Sequence, residues 1–372
     1  MAPARRHLGR LKDGEASVDS SRDDAADEPR VDARRYFRQF HGHPVDQLSI
    51  IADAFRAEDR SIIWLAGDSS LDNKYWFDAV AAPVHGYERI LDPPTAKQDV
   101  THWLNQTLAD RGQSSLVAMN TAVEATSLND RACGRLLPQD QLVRDRIGKN
   151  DVLIVSVGGN DVALQPLLCT VLSALALVYC SGPQCCIENG VACPPNSGAC
   201  GDLGCYACGC PNCATSCLCG WPLGFGYIVD LFKNRVGNYV RRLVAKTKPA
   251  KVLVCMIYFL DQQPTGSWAD MALTALLYDS MPTRLQAGIA AAFRCATSQI
   301  KIPGTEVVPV PLFEVLNGRD TTDYCQRVEP SPSGGRKMAE ALVEAVLDDE
   351  STWVGVGAED SAPTRELMRN TS

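Results

Sequence analysis

At 372 residues, with 45% hydrophobic and 22% charged side chains, the chain has material for one large α/β domain with insertions or for two smaller domains. A net charge of −8 and a pI near 5.2 give no whole-surface attraction for nucleic acid or for an anionic membrane. No apolar run reaches spanning length, and the first thirty residues lack the apolar core of a signal peptide, so the expected compartment is the cytoplasm.

Residues 1–35 mix Arg, Asp, Glu and Ser with almost nothing apolar and read as a disordered arm. Helical spacing starts at Asp46–Phe55, where Leu48, Ile51, Ala52 and Phe55 share a face. Ile62–Ala66 reads as a buried strand. It stops at Gly67, and Asp68 and Ser69 stand at the turn into a second helical pattern carrying Leu71, Tyr75 and Trp76. A small polar side chain at such a turn is lifted off the sheet edge, and its N–H would join the open donors of a helix N-terminus. The same tripeptide would serve equally well as a helix cap.

Further along, Asp99–Ala109 is helical, Ser114–Asn120 a strand, Leu137–Ile147 helical, and Asp151–Val157 a strand that ends at Gly158-Gly159-Asn160-Asp161. The apolar run Leu167–Cys180 suits a core helix or a greasy surface element. Beyond a cysteine-rich stretch ending near Trp221, Tyr227–Val244 has strong helical periodicity, with Lys233, Arg235, Arg241 and Arg242 on its wet face. Lys251–Tyr258 and Glu306–Val310 are strands four and five, with helical material between Trp268 and Ile300. Met338, Ala341, Leu342, Ala345 and Val346 stripe a last helix, and a polar tail begins at residue 353.

Five short strands alternating with amphipathic helices predict a parallel sheet covered on both faces, with its site at the carboxyl ends of the strands. Those ends carry Gly67-Asp68-Ser69, Asn120, Gly158–Asp161 and the segment after Pro311, so these four points should converge.

The converging motifs resemble those of the SGNH (GDSL-type) hydrolase superfamily, mostly esterases, lipases and acetylhydrolases on a three-layer α/β/α, flavodoxin-like fold. Gly67-Asp68-Ser69 matches the first block, and the resemblance makes Ser69 the nucleophile and an oxyanion donor. Gly158-Gly159-Asn160-Asp161 matches the third block in full, which makes the Asn160 amide a second donor. A fixed N–H aimed at developing negative charge lowers a barrier by about 2.7–4 kcal/mol. Asp161 is expected to cap the helix that follows. In the second block Ala125 stands where the family has a glycine, and a backbone N–H survives that exchange.

The last block departs from the family pattern of Asp-x-x-His followed by Pro-Ser. Here Gln326 holds the Asp position and Glu329 the His position, ahead of Pro330-Ser331. His7, His41, His43, His85 and His102 all lie in the first third of the chain, so none fills that slot in sequence. A serine hydroxyl needs a base, and a carboxylate that starts near 4.3 is a weak one unless burial raises it. Three readings follow: a Ser69–Glu329 dyad, a histidine arriving from the N-terminal part, or a pocket that binds acyl or carbohydrate ligands without turning them over. Against them stands a purely structural Glu329, capping the last helix or paired with Arg336. Asp320 and Asp323 read as surface carboxylates.

Eleven of the sixteen cysteines fall between Cys180 and Cys219, while Cys255 sits in an apolar run and reads as core. Cys205-x-x-Cys208 and Cys210-x-x-Cys213 are metal-like pairs, but a single residue separates them where zinc knuckles leave a longer loop. A structural zinc, S-acylation beside the apolar flank, and a disulfide-stapled lobe compete, the last disfavoured without a secretory signal. The insert, residues 180–222, should hang over the mouth of the pocket as a lid or partner flap that could rest on a membrane surface. The sequence thus predicts one SGNH-like domain over residues 36–352 between a polar arm and a polar tail at 353–372. Its expected activity is hydrolysis of a small-molecule, carbohydrate or lipid ester, including O-acetyl esters, without a cofactor for the chemistry. The alternative is a silent scaffold acting through the insert.

Overall fold

The computed structural model describes residues 30–38, 41–162, 168–196 and 218–348. All five expected strands form: β1 Ser61–Gly67, β2 Leu116–Asn120, β3 Val152–Ser156, β4 Lys251–Met256 and β5 Glu306–Pro311. They make one sheet in which every pairing is parallel, in the spatial order β2-β1-β3-β4-β5. This is the flavodoxin-like order, and its direction of winding reverses between β1 and β3. The crevice at the carboxyl ends of those two strands is therefore where a ligand site belongs. Gly67, the last residue of β1, is in register with Ser156, the last of β3.

Burial on both faces explains why the strands read as continuous apolar runs rather than alternating ones. Trp64, Met119, Val155 and Val254 face a core shared with α1 (Val45–Ala57) and α3 (Pro138–Arg146). Leu65, Ala118, Ile154 and Leu253 face the other side, against α2 (Val100–Asp110) and α7 (Pro332–Leu347). Three layers result. Between them come α4 (Leu168–Cys180), α5 (Val236–Leu243) and α6 (Pro282–Cys295).

Three local expectations need correction. The Ser69 turn does not open a helix. Only Leu71 and Asp72 N–H return to the Asp68 carbonyl, and a single 3-10 turn follows at Lys74–Trp76. The polar side chains of that stretch explain the failure, because each is drawn into a separate tertiary bond. Asp72 accepts from Lys74 Nζ (2.5 Å) and Glu124 N–H (3.0 Å), while Asn73 donates to the Pro330 carbonyl (2.9 Å). Tyr75, placed on a buried face by the helical pattern, is 56% exposed.

The Tyr227–Val244 helix is interrupted by a π-helical turn at Asp230–Arg235. The helical material expected between 268 and 300 forms, as Asp270–Ala275 and as α6, which opens with Pro282. Residues 31–35, assigned to the arm by composition, are ordered: Val31 pairs with Leu91 and Ala33 is buried.

Candidate active site

Gly67 is where the site begins, and no other residue fits there. Its φ is +139°, and a Cβ would stand 1.7 Å from the Ser156 carbonyl oxygen. That close approach lets Asp68 N–H donate to the same carbonyl at 3.1 Å, which ties the Ser69 turn to the end of β3. Arg131, fully buried, holds the turn from behind by donating to the Gly67 carbonyl (2.8 Å). Ser70 Oγ lies 2.7 Å from Asp68 Oδ1 and 2.6 Å from Ser156 Oγ, fixing the Asp68 carboxyl. Burial raises Asp68 to about 6.

Ser69 Oγ donates a hydrogen bond to Glu329 Oε1 at 3.2 Å. Both residues are buried, Ser69 6% and Glu329 3% exposed. Glu329 and Pro330 pair with Cys325 and Tyr324 in a short antiparallel ladder. Tyr258 OH donates to the Val328 carbonyl at 2.7 Å, and Ser331 caps α7 by accepting from Gly334 N–H. The carboxyl is thus carried on a braced segment. Burial pushes Glu329 up to about 8, with neighbouring Asp68, Glu124 and Asp72 adding to the rise and the Ser69 hydroxyl opposing it. Its Oε2 has no hydrogen-bond partner among the described residues. The pairing with Arg336 does not occur, since Arg336 bonds Glu340 instead. Asp320 and Asp323 are occupied by Lys337 and do not orient Glu329.

Asn160 Nδ2 donates to the Thr126 carbonyl at 2.9 Å, which fixes the amide and leaves its second N–H for the hollow beside it. Asp161 does not cap a helix. It accepts from Leu128 N–H (2.7 Å) and lies 3.3 Å from Arg235, so it belongs to the bracing of the 121–132 loop. Ala125 has φ +55°, the left-handed conformation that favours the glycine of the family pattern. It is half-buried and outside the lining of the hollow.

Asp68, Ser69, Asn160 and Glu329 line one hollow with a cavity volume of about 100 Å³. The rest of its wall is apolar and comes largely from α4, α6 and the 256–276 segment. Helix α4 serves both roles its composition suggested: Leu177 and Val178 are buried against the hollow, while Leu172 and Tyr179 are 57% and 55% exposed. None of the described histidines lines this hollow. His43 and His102 line a separate one with Tyr36 and Asp99, His85 bonds the Leu116 carbonyl, and His41 the Glu124 carbonyl. No described histidine therefore stands with Ser69 in this hollow. Asn120, a strand-end candidate, is a brace that donates to the Leu71 carbonyl at 3.0 Å.

Cys205, Cys208, Cys210 and Cys213 lie outside the described residues. Among the described residues no group of His, Cys, Asp and Glu is arranged to hold a metal, and no helix is long and apolar enough to cross a membrane. Sequence reasoning missed Thr126, Arg131, Ser70 and Ser156. Each works through a contact with a distant segment or a backbone atom, so no local spacing marks it.

No family model matches the chain, and no curated protein matches it. Among solved structures it matches phospholipase A1 from Streptomyces albidoflavus at 11% identity and a TM-score of 0.35, covering 78% of this chain and 100% of that one. An acetyl xylan esterase from Geobacillus stearothermophilus matches at 11% identity and 0.35, with coverages of 77% and 94%. A GDSL-like lipase from Parabacteroides merdae matches at 12% and 0.33, with coverages of 77% and 95%. These superpositions are loose, and the fold assignment rests on the strand order and register given above.

Proposed function

We propose that the protein is a serine ester hydrolase of the SGNH type in which Glu329 replaces histidine as the general base. The observation that carries this reading is the buried hydrogen bond from Ser69 Oγ to Glu329 Oε1, in the hollow that Asn160 also lines. In the first step the Glu329 carboxylate takes the Ser69 proton while Oγ attacks the ester carbonyl carbon. The Ser69 N–H and the free Asn160 N–H hold the resulting oxyanion, with Ala125 N–H as a third donor if the loop closes on substrate. Glu329 then returns the proton to the departing alkoxide, leaving an acyl group on Ser69. Water, deprotonated by the same carboxylate, attacks that acyl group, and the acid departs with the serine proton restored.

A carboxyl raised to about 8 is a far stronger base than an ordinary glutamate once it is ionised, and it ionises only as pH passes that value. Near neutral pH most of the population carries the proton. That protonation favours the competing reading, a binder that holds ester or acyl ligands without turnover. Labelling with a fluorophosphonate separates the two. Wild type should label at pH 8.5, Ser69→Ala not at all, and Glu329→Gln at least a hundredfold more slowly. Absence of labelling in wild type at that pH sinks the hydrolase. Labelling that persists in Ser69→Ala sinks the nucleophile.

A further inference from the structure

We propose that the hollow beside Ser69 takes an unbranched acyl chain longer than acetyl, and that Gly288 on α6 and Ala174 on α4 keep open the space it occupies. The chemistry of this proposal rests on the ester-hydrolase reading above; the ligand class rests on the wall itself. The polar side chains in its wall are Asp68, Ser69, Ser70, Asn160 and Glu329. Everything else is aliphatic or aromatic: Leu177 and Val178 from α4, Leu285 and Ile289 from α6, with Phe232, Ile257 and Leu273 between. Even the Tyr258 hydroxyl is turned away onto the Val328 carbonyl. A sugar or a polar acyl group inside this wall would lose its water hydrogen bonds and find no replacement. A hydrocarbon chain loses nothing and removes apolar surface from water.

The hollow has a cavity volume of about 100 Å³, several times what a single water needs and more than an acetyl group fills. Two small residues hold it open. Gly288 lies inside a helix, where glycine is less favourable than alanine. A Cβ there would reach within 3.3 Å of Leu177 Cδ2 and 3.9 Å of Ile187 Cγ2, so a larger side chain would close the gap between α6 and α4. Ala174 sits on the opposite helix and also lines the hollow.

The test uses p-nitrophenyl esters from acetyl to dodecanoyl, at pH 8.5. Wild type should gain about fourfold in kcat/KM for each added methylene that becomes buried, until the hollow is full. Gly288→Leu should lower the dodecanoyl-to-acetyl ratio at least tenfold. Ala174→Leu should do the same, and it keeps the test open if the glycine variant fails to fold. A chemistry-free arm measures displacement of Nile red from Ser69→Ala protein by primary alcohols of increasing length. Displacement should strengthen with length and weaken in both cavity-filling variants. A preference for acetyl esters, or a length ratio that neither substitution moves in folded protein, overturns the proposal. Length-graded displacement without turnover of any ester would remove the hydrolase reading and leave the acyl-chain site standing.

Discussion

Two buried ionisable residues flank the Ser69 turn, and they are treated in opposite ways. Arg131 is held by Asp140 (2.9 Å), Thr126 Oγ1 (2.9 Å), the Ser127 carbonyl (3.1 Å) and the Gly67 carbonyl (2.8 Å), with Tyr239 stacked 5.1 Å from its carbon. Glu329 has one neutral hydroxyl on one oxygen and, among the described residues, no hydrogen-bond partner on the other. The first arrangement repays the desolvation of a charge with hydrogen bonds, and its ionic form is locked. The second leaves desolvation uncompensated, so the carboxyl's protonated form is favoured, the kind of perturbation the proposed proton shuttle would use.

The contrast can be broken at either end. The largest expected effect falls on Arg131→Met, which leaves Asp140 buried without its cation. Its unfolding free energy, measured by urea titration, should drop by about 3–5 kcal/mol. A loss under 1 kcal/mol would mean the network is slack. Next comes Asn160→Ala, which removes a proposed donor to the oxyanion but touches neither Ser69 nor Glu329. Its kcat should fall about 10²–10³-fold with KM little changed, and a purely KM effect would assign Asn160 to ground-state binding.

The sharpest test of the contrast itself is in stability against pH. The folded pKa of Glu329 is raised above its ordinary value of 4.5 to about 8. The fold therefore favours the protonated form. Whatever stability this carboxyl gives is whole below pH 4.5, declines as the unfolded chain releases its proton, and is gone above about 8. Glu329→Gln cannot ionise and should become more stable relative to wild type across that window, with no relative change below it. Parallel curves for the two proteins would show that the carboxyl is not held protonated.

Much of this arrangement was legible in the sequence. Two-sided burial forces continuous apolar runs, so the strands stood out, and their ends carried Ser69 and Asn160. Glu329 was visible because the Pro330-Ser331 cap after it keeps the pattern of the last helix. What stayed hidden depends on distance. Ser69 and Glu329 are 260 residues apart, and only the closed fold places a hydroxyl against that carboxyl and strips water from both. The apolar wall from α4 and α6 was equally invisible, since neither helix taken alone shows that it faces the other across a hollow. Local periodicity also misled at Leu71, Tyr75 and Trp76. There the buried bonds of Asp72 and Asn73 outweigh helix propensity, which is worth less than 1 kcal/mol per residue.

The direct measurement is the rate of fluorophosphonate labelling of Ser69 between pH 5 and 10, in wild type and in Glu329→Gln. A carboxylate base requires a rate that climbs with pH, levels off above about 8, and collapses in the glutamine variant at every pH. A midpoint near the ordinary histidine value, or a glutamine variant that labels as fast as wild type, would contradict it.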